Sequence, residues 1–381
     1  MKPALQFFWF ALVMSVMFTT CLWWNIHQQN IDNKYVQMRF NSPVIDLKKF
    51  KINFTSIKTE KKTIEDSLPT QLPIRKDKFQ YIGNMSTKSE SKLNISTMFM
   101  KPWKHNISNL QQLRSDFKKT VHTELILSQR NVNISQTFKF FLGRGSINIS
   151  EEFYKLLLKD SPESNVGGYK RCAIVGNGGI LNGSKCGKEI DEADFVIRCN
   201  APPINGFQED AGVKSNLTTV NPSIIQTRYG YARTHAQQSK FIEKMKEYNN
   251  YIWFPSFTTS WIYKMVVRIN KALNTNVTSV NLVHGNPNHF KETRVFWSNM
   301  GIRNRISTGF YITTAALMFC DEVHLYGFWP FSTDIHNRPT SYHYYEDVKL
   351  KRVVHAFNKE FDELATLHSK GILQLHVDDC Y

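Results

Sequence analysis

The sequence has no Asp-x-Asp, no Cys-x-x-Cys and no His-x-x-x-His. The last two absences argue against a metal site built on local spacing. Cysteine is scarce, six in 381 residues, and Lys and Arg outnumber Asp and Glu 48 to 32, a formal net charge of +16. That excess is uneven: residues 1–150 hold 22 basic and 9 acidic residues, which is +13 of the +16. The high charge therefore describes the first part of the chain and argues for neither a basic active site nor a nucleic-acid groove. Residues 25 to about 150 have no internal repeat and are polar, rich in Lys, Ser and Thr. They read as a stem, although "FKFFLGRG" near the end is apolar enough to pack on a domain.

Long apolar runs are scarce too. The one such run, "FFWFALVMSVMFTTCLWW", covers Phe7–Trp24, 18 residues and the lower limit for crossing a bilayer. It ends in Trp23-Trp24, suited to a membrane interface, rather than in the small residues of a cleavage site. A signal anchor with a cytosolic tail of residues 1–6 is expected, with everything after about residue 25 across the membrane. A cleaved signal peptide is the alternative. Asn-x-Ser/Thr occurs at Asn53, Asn84, Asn94, Asn106, Asn133, Asn148, Asn182, Asn216 and Asn276. Nine such triplets behind an anchor favour a glycosylated lumenal protein.

From about residue 150 short apolar runs alternate with amphipathic segments. Strands are expected at Arg171–Val175, Phe195–Cys199, Leu217–Val220, Tyr251–Phe254, Ser279–Val283 and Val323–Tyr326, and helices at Ser239–Tyr248, Thr308–Phe319 and Glu360–Ser369. This alternation suggests an α/β domain with a largely parallel sheet, binding its ligand outside the carboxyl ends of the strands. "VGNGG", Val175–Gly179, lies at such an end. Its glycines would let a phosphate come close to the backbone; a tight turn that needs glycine for its angles is the alternative. A dinucleotide fold fails one test. The acidic residue expected after the second strand is replaced by Asn200, while Asp191 and Asp194 precede that strand. "YARTHAQQSKFIEKMKEY" reads as a solvated helix.

Cys172, Cys186, Cys199, Cys320 and Cys380 follow Cys21 of the anchor. In a lumen they can pair, but five cysteines allow fifteen ways to form two bridges, so counting does not choose. Among lumenal users of nucleotides, glycosyltransferases with diphosphate donors often hold a metal on Asp-x-Asp, which is missing here. A monophosphate donor, CMP-sialic acid, needs no such clamp.

The residues then carry a resemblance. "CAIVGNGGILNGSKCGKEIDEADFVIRCNAPPINGFQEDAGVKSNLTTVNPS" (172–223) resembles the large sialylmotif of animal sialyltransferases, and "RISTGFYITTAALMFCDEVHLYGFWPF" (305–331) the small one. "HYYE" (343–346) is similar to motif III and "HAFNKE" (355–360) to the very small motif. The four come in the family's order over roughly residues 170–381. "GFWPF" and "HYYE" look like the α2,8-sialyltransferase subfamily, with Glu346 where Asp is usual.

The resemblance implies a single Rossmann-like α/β domain of the GT-A-like variant, a mainly parallel sheet flanked by helices, over 151–381. Ahead of it in the chain stand the tail (1–6), the transmembrane helix (7–24) and the stem (25–150). It implies that Asn177 and Asn200 bind the donor's phosphate and nucleotide portions. Ser307, Thr308 and Gly309 at a helix start would contact the sialic acid carboxylate, and Trp329 and Tyr342 would line the nucleotide pocket. His343 would donate a hydrogen bond to the departing phosphate, and His355 would be the general base of one inverting displacement. Bridges Cys172–Cys320 and Cys186–Cys380 are implied, leaving Cys199 a buried thiol. The bland alternatives are a structural His343 among Tyr342, Tyr344 and Tyr345, a His355 paired with Glu360, and Trp329 as core.

The expected partners are CMP-sialic acid, a sialylated glycolipid or glycoprotein acceptor and the Golgi membrane, with no metal, no cofactor and no nucleic acid. The oligomeric state, including a homo-oligomer, is left open. Gly178, where the polysialylating and oligosialylating members more often carry serine, and the moderate basic density of residues 270–306 favour adding one or a few sialic acids to a terminal sialic acid on a ganglioside or O-glycan. Polysialylation of a protein N-glycan is the runner-up, and a non-catalytic sialyl-glycan-binding protein is the reading from another class.

Overall fold

The computed structural model describes residue 99 and residues 102–165, 168–248, 250–275, 280–346 and 357–380. The expected anchor, Phe7–Trp24, lies outside them, as do Asn53, Asn84, Asn94 and Asn276. Among the described residues no helix is long and apolar enough to cross a membrane.

Ten strands are described: β1 (Ile126–Leu127), β2 (Thr137–Lys139), β3 (Ser146–Asn148), β4 (Tyr169–Val175), β5 (Phe195–Arg198), β6 (Leu217–Thr219), β7 (Asn250–Phe254), β8 (Val280–Gly285), β9 (Cys320–Tyr326) and β10 (Gln374–His376). Eight of them form one sheet in the order β1-β8-β7-β6-β5-β4-β9-β10, and β2 pairs with β3 apart from it. Every neighbouring pair in the large sheet is parallel except β1 against β8. The expected mainly parallel sheet flanked by helices is present. Its strands turn apolar on both faces, as a sheet covered on both sides requires: Cys172 to Val175 and Phe195 to Arg198 are all buried.

The faces alternate along each strand. Cys172, Ile174, Phe195, Ile197, Val323 and Leu325 meet the helices Ile107–Lys118, Pro287–Asn299, Thr308–Phe319 and Phe357–Ser369 in the largest core. Ile252, Phe254 and Leu282 point the other way, onto Pro222–Tyr229, His235–Met245 and Ser260–Thr275. Ala173, Val175 and Val196 meet the short helix Gly187–Asp191 on that second side. Thr308–Phe319 is central, with Phe310 to Leu317 buried without a break; each such large apolar side chain contributes roughly 1.5–3 kcal/mol.

Two expectations change. The stem was drawn to residue 150, but the fold begins earlier. Helix Ile107–Lys118 starts at Asn106, whose side chain caps Asn109 N–H at 3.0 Å, and it buries Leu110, Leu113 and Phe117. Arg114 fastens it with bonds to the carbonyls of Leu317 (2.7 Å) and Cys320 (2.6 Å). A polar composition hid a narrow apolar stripe. The same holds for the supposed solvated helix: His235–Met245 buries Phe241, Ile242 and Met245, behind a capping box of Thr234 and Gln237.

The chain steps outward from β4 through β5, β6, β7 and β8, then returns to lay β9 on the other edge of β4. The connections that follow the carboxyl ends of β4 and β9 thus lead to strands on opposite sides, β5 and β10. A crevice opens there. Cys172–Cys320 joins these two strands, and Cys186–Cys380 ties the chain's end to the segment after the β4 loop. Both pairings are those the resemblance implied. Cys199 is buried and unpaired, its thiol pushed up to about 12 by burial.

Candidate active site

A cleft of about 290 Å³ occupies this crevice. The β4 loop brings Gly176, Asn177 and Gly178, the β5 end brings Cys199 and Asn200, and the β9 loop brings Gly327, Phe328, Trp329 and Pro330. The glycines of the β4 loop do not serve a turn that needs glycine for its angles. None has a positive φ. Instead a Cβ on Gly176 or Gly178 would stand 2.6 or 2.7 Å from the Gly327 carbonyl oxygen, and one on Gly179 would collide with that of Ser341. The glycines let the β4 loop lie against the β9 loop, with Gly178 N–H donating to the Gly327 carbonyl at 2.9 Å. The loop's glycines allow a close approach of backbone to backbone.

Asn177 stands between these glycines in the cleft wall. Its carbonyl accepts from Tyr344 N–H at 3.0 Å, but its side-chain Oδ1 is buried with no partner among the described residues. An orphaned acceptor in a cleft wants a ligand's N–H or O–H. Asn200 adopts φ +67, a left-handed conformation that asparagine tolerates better than most residues. It starts a polar chain: Asn200 N–H donates to Thr219 Oγ1 (2.8 Å), Asn221 N–H to Asn200 Oδ1 (3.1 Å), and Thr308 Oγ1 to Asn221 Oδ1 (3.0 Å). Arg198, fully buried, braces the base of this turn through the Lys214 and Ala211 carbonyls.

Ser307 caps helix Thr308–Phe319, accepting from Phe310 N–H at 3.1 Å. Its own N–H donates to buried Glu360 Oε1 at 2.7 Å. Thr308 and Gly309, whose N–H groups a helix's first turn leaves without intrahelical partners, line the cleft. With the helix dipole they make a ready seat for an anion.

The opposite wall is aromatic. Trp329 packs edge-on against Phe331 and Phe361 and donates through Nε1 to the Thr333 carbonyl at 2.7 Å. His343 stacks between Tyr342 (4.1 Å) and Tyr345 (5.0 Å). Its Nδ1 bonds to Glu346, which fixes the ring and leaves Nε2 to a ligand. The tyrosines hold His343 at the cleft, which is the packing its bland reading describes.

Eight of the nine expected donor and catalytic residues, Asn177, Asn200, Ser307, Thr308, Gly309, Trp329, Tyr342 and His343, line this one cleft. His355 lies outside the described residues. Helix Phe357–Ser369, two residues further on, lines the cleft with Phe357, Glu360, Phe361 and Leu364. Sequence reasoning missed Asn221 and Glu360 as site residues, although both sat in the motifs; a polar residue at a strand end and an acid near a helix start were the available signals. Of the sequons, Asn106, Asn133, Asn148 and Asn182 are exposed. Asn216 is half-buried, with Oδ1 held by Val196 N–H at 2.8 Å.

The model of glycosyltransferase family 29 (sialyltransferase) matches residues 120–372. The chain belongs to this family. It is 42% identical over 214 residues to the alpha-N-acetylneuraminide alpha-2,8-sialyltransferase of Xenopus tropicalis, covering 55% of this chain and 61% of that one. To the protein of the same name in Bos taurus it is 42% identical over 214 residues, covering 60% of its length. The chain thus spans about three-fifths of the length of these relatives. Human alpha-2,8-sialyltransferase 8E is 34% identical over 284 residues, 73% of this chain and 75% of the relative. A crystal structure of a mammalian sialyltransferase in complex with Gal-beta-1-3GalNAc-ortho-nitrophenol aligns with 74% of this chain and 84% of its own at 22% identity and a TM-score of 0.40. As a family 29 chain it carries the motif residues in the cleft just described.

Proposed function

We propose that the chain transfers sialic acid from CMP-sialic acid to the 8-hydroxyl of a terminal sialic acid on a glycolipid or glycoprotein glycan, by one inverting displacement that needs no metal. One observation carries this reading: a helix start able to seat an anion, an unpartnered Asn177 oxygen and a carboxylate-held histidine share one cleft. The α2,8 linkage rests on the printed names of the relatives. In the reaction the acceptor's 8-hydroxyl gives its proton to His355 as its oxygen bonds to the anomeric carbon. The bond from that carbon to the phosphate oxygen breaks, and CMP leaves with the electron pair. The Thr308 and Gly309 N–H groups and His343 would meet anionic groups of the donor, for which pre-aimed donors typically contribute 10²–10³-fold. Glu360, a carboxylate in the cleft, is engaged by Ser307 N–H.

A second cleft of about 400 Å³ runs along the carboxyl ends of β7 and β8 and shares Asn221 and Thr308 with the first. Trp253, Trp261, Phe290 and Tyr311 line it, and Trp253 Nε1 is buried there without a partner among the described residues. It supports an acceptor arriving beside the donor. The two disulfides fit an oxidising compartment, and with the apolar run Phe7–Trp24 they support a single-pass Golgi protein with a lumenal catalytic domain.

The test is transfer by the full-length chain from CMP-sialic acid, with chelator present, to a sialylated glycolipid, a sialylated O-glycan and a sialylated N-glycan. Disialylated product from any of them is expected. Donor hydrolysis without transfer to any acceptor, or a requirement for added metal, would contradict the reading. Long polymers would move it to polysialylation.

A further inference from the structure

The helix Gly187–Asp191 packs on the sheet face opposite the largest core, and beside it three side chains converge that sialyl transfer does not use. Glu189 comes from that helix, His324 from β9 and His376 from the end of β10. His324 Nδ1 lies 3.0 Å from His376 Nε2, and His376 Nε2 lies 3.6 Å from Glu189 Oε1. Among the described residues this is the one trio whose ligand atoms all fall within 4.8 Å of one another. Ligands of a tetrahedral zinc sit roughly 3.3–3.5 Å apart, given bond lengths near 2.0–2.2 Å. Two of the three spacings are close to that before any ion enters, and the third is within 4.8 Å.

The surroundings are also those of a metal site. Glu322 Oε2 stands 3.4 Å from His324 Nε2, the carboxylate-behind-histidine arrangement that directs Nδ1 toward a metal. His105 faces the other Glu322 oxygen at 3.7 Å. Tyr326 stacks on the His376 ring at 4.1 Å and donates its hydroxyl to Glu189 Oε1 at 2.8 Å. His324 is 2% exposed while the Glu189 side chain is 30% exposed, so the cluster has a closed end and an open one. Arg171 is the competing cation: its Nε donates to His324 Nε2 at 3.4 Å and its guanidinium stands 3.8 Å from Glu189, with the side chain 35% exposed.

We propose that Glu189, His324 and His376 bind a divalent transition-metal ion of the zinc type, a solvent molecule completing the shell. Two imidazoles and one carboxylate suit zinc, whereas magnesium and calcium prefer oxygen ligands throughout. The ion would pin β10 to β9 and to helix Gly187–Asp191, beside the Cys186–Cys380 bridge that joins the same segments. Its role is structural, and it takes no part in the transfer step.

The experiment titrates the full-length chain in detergent, stripped by chelator, with cobalt(II) and then competes with zinc. One equivalent of cobalt with a tetrahedral visible band, displaced by zinc, is expected, together with a thermal midpoint several degrees higher at zinc about 100-fold above Kd. His376→Gln should abolish both. Glu322→Gln should weaken binding roughly 10–100-fold, and His235→Gln, at an exposed site, should change neither. Should His376→Gln fail to fold, Glu189→Gln on the helix surface should still lose at least about tenfold in affinity, since it removes a direct ligand. Absence of stoichiometric binding by the unaltered chain would overturn the proposal. Unchanged affinity in the Glu189 and His376 variants would do the same.

Discussion

The region around β7 and β8 and the crevice beyond β4 and β9 both bury polar side chains, yet they treat them differently. Near β8, His284 is fully buried and bonded on both nitrogens, to Ser256 Oγ at 2.8 Å and to Asn270 Nδ2 at 3.0 Å. His289 pairs with the Tyr311 hydroxyl at 2.8 Å. Burial lowers these histidines to about 3 and about 4, so both stay neutral at any working pH. In the crevice the inventory is similar but incomplete. Asn177 Oδ1 has no partner, Thr308 and Gly309 at the helix start line the cleft, and His343 is held at one nitrogen only. Polar groups closed on each other give a unique core, while those left open are held for a ligand.

Exchanging the two histidines is the sharpest way to break this contrast. His343→Ala should lower transfer about 10²–10³-fold with the fold intact, since it removes a donor aimed at the leaving group. His284→Ala should leave transfer by folded molecules unchanged and cost roughly 2–4 kcal/mol of stability, because a cavity opens and two partners are orphaned. Turnover against denaturant midpoint separates them; a His284 variant that is stable but inactive would erase the distinction. A smaller effect is expected at Asn177. Asn177→Ala removes one hydrogen bond, so the KM for CMP-sialic acid should rise roughly tenfold with kcat moving less. Steady-state kinetics with varied donor would show this, and an unchanged KM would count against donor contact.

The smallest effect concerns pH. Glu163 accepts from Leu125 and Ile126 N–H, yet burial raises it to about 7. Its contribution is full below its unfolded value of about 4.5 and fades as pH climbs toward 7. His284 and His289 act in the other sense: with folded values below the unfolded 6.5, stability is lost as pH falls from 6.5 toward 4. Two histidines outweigh one glutamate, so the denaturant midpoint should decline as pH falls below about 6.5. Glu163→Gln should steepen that decline by removing the opposing term. A midpoint that rises on acidification would reverse the assignment.

Much of this was legible in the chain. Thr308–Phe319 was read to the residue, and the central strands to within a few residues, because buried parallel strands are near-continuous apolar runs. Ser260–Thr275 was not read although Lys264, Arg268 and Lys271 all fall on its exposed side, and Pro287–Asn299 was not read because its buried face includes the polar His289 and Thr293. Neither were β10 and the elements before residue 150, where a few buried positions hide in polar sequence. The cleft residues were legible through motifs, whereas the reason for the glycines was not: Gly176 and Gly178 answer to Gly327, about 150 residues away. The histidine cluster was out of reach of spacing rules for the same reason. His324 and His376 are 52 residues apart and meet only because β10 lies beside β9.

The most direct test is a crystal structure of the protein with CMP. The phosphate should lie within reach of Asn177 and His343 Nε2, beside the start of helix Thr308–Phe319, with the base against Trp329 and Tyr342. CMP seated in the second cleft, or anywhere away from the start of helix Thr308–Phe319, would contradict it.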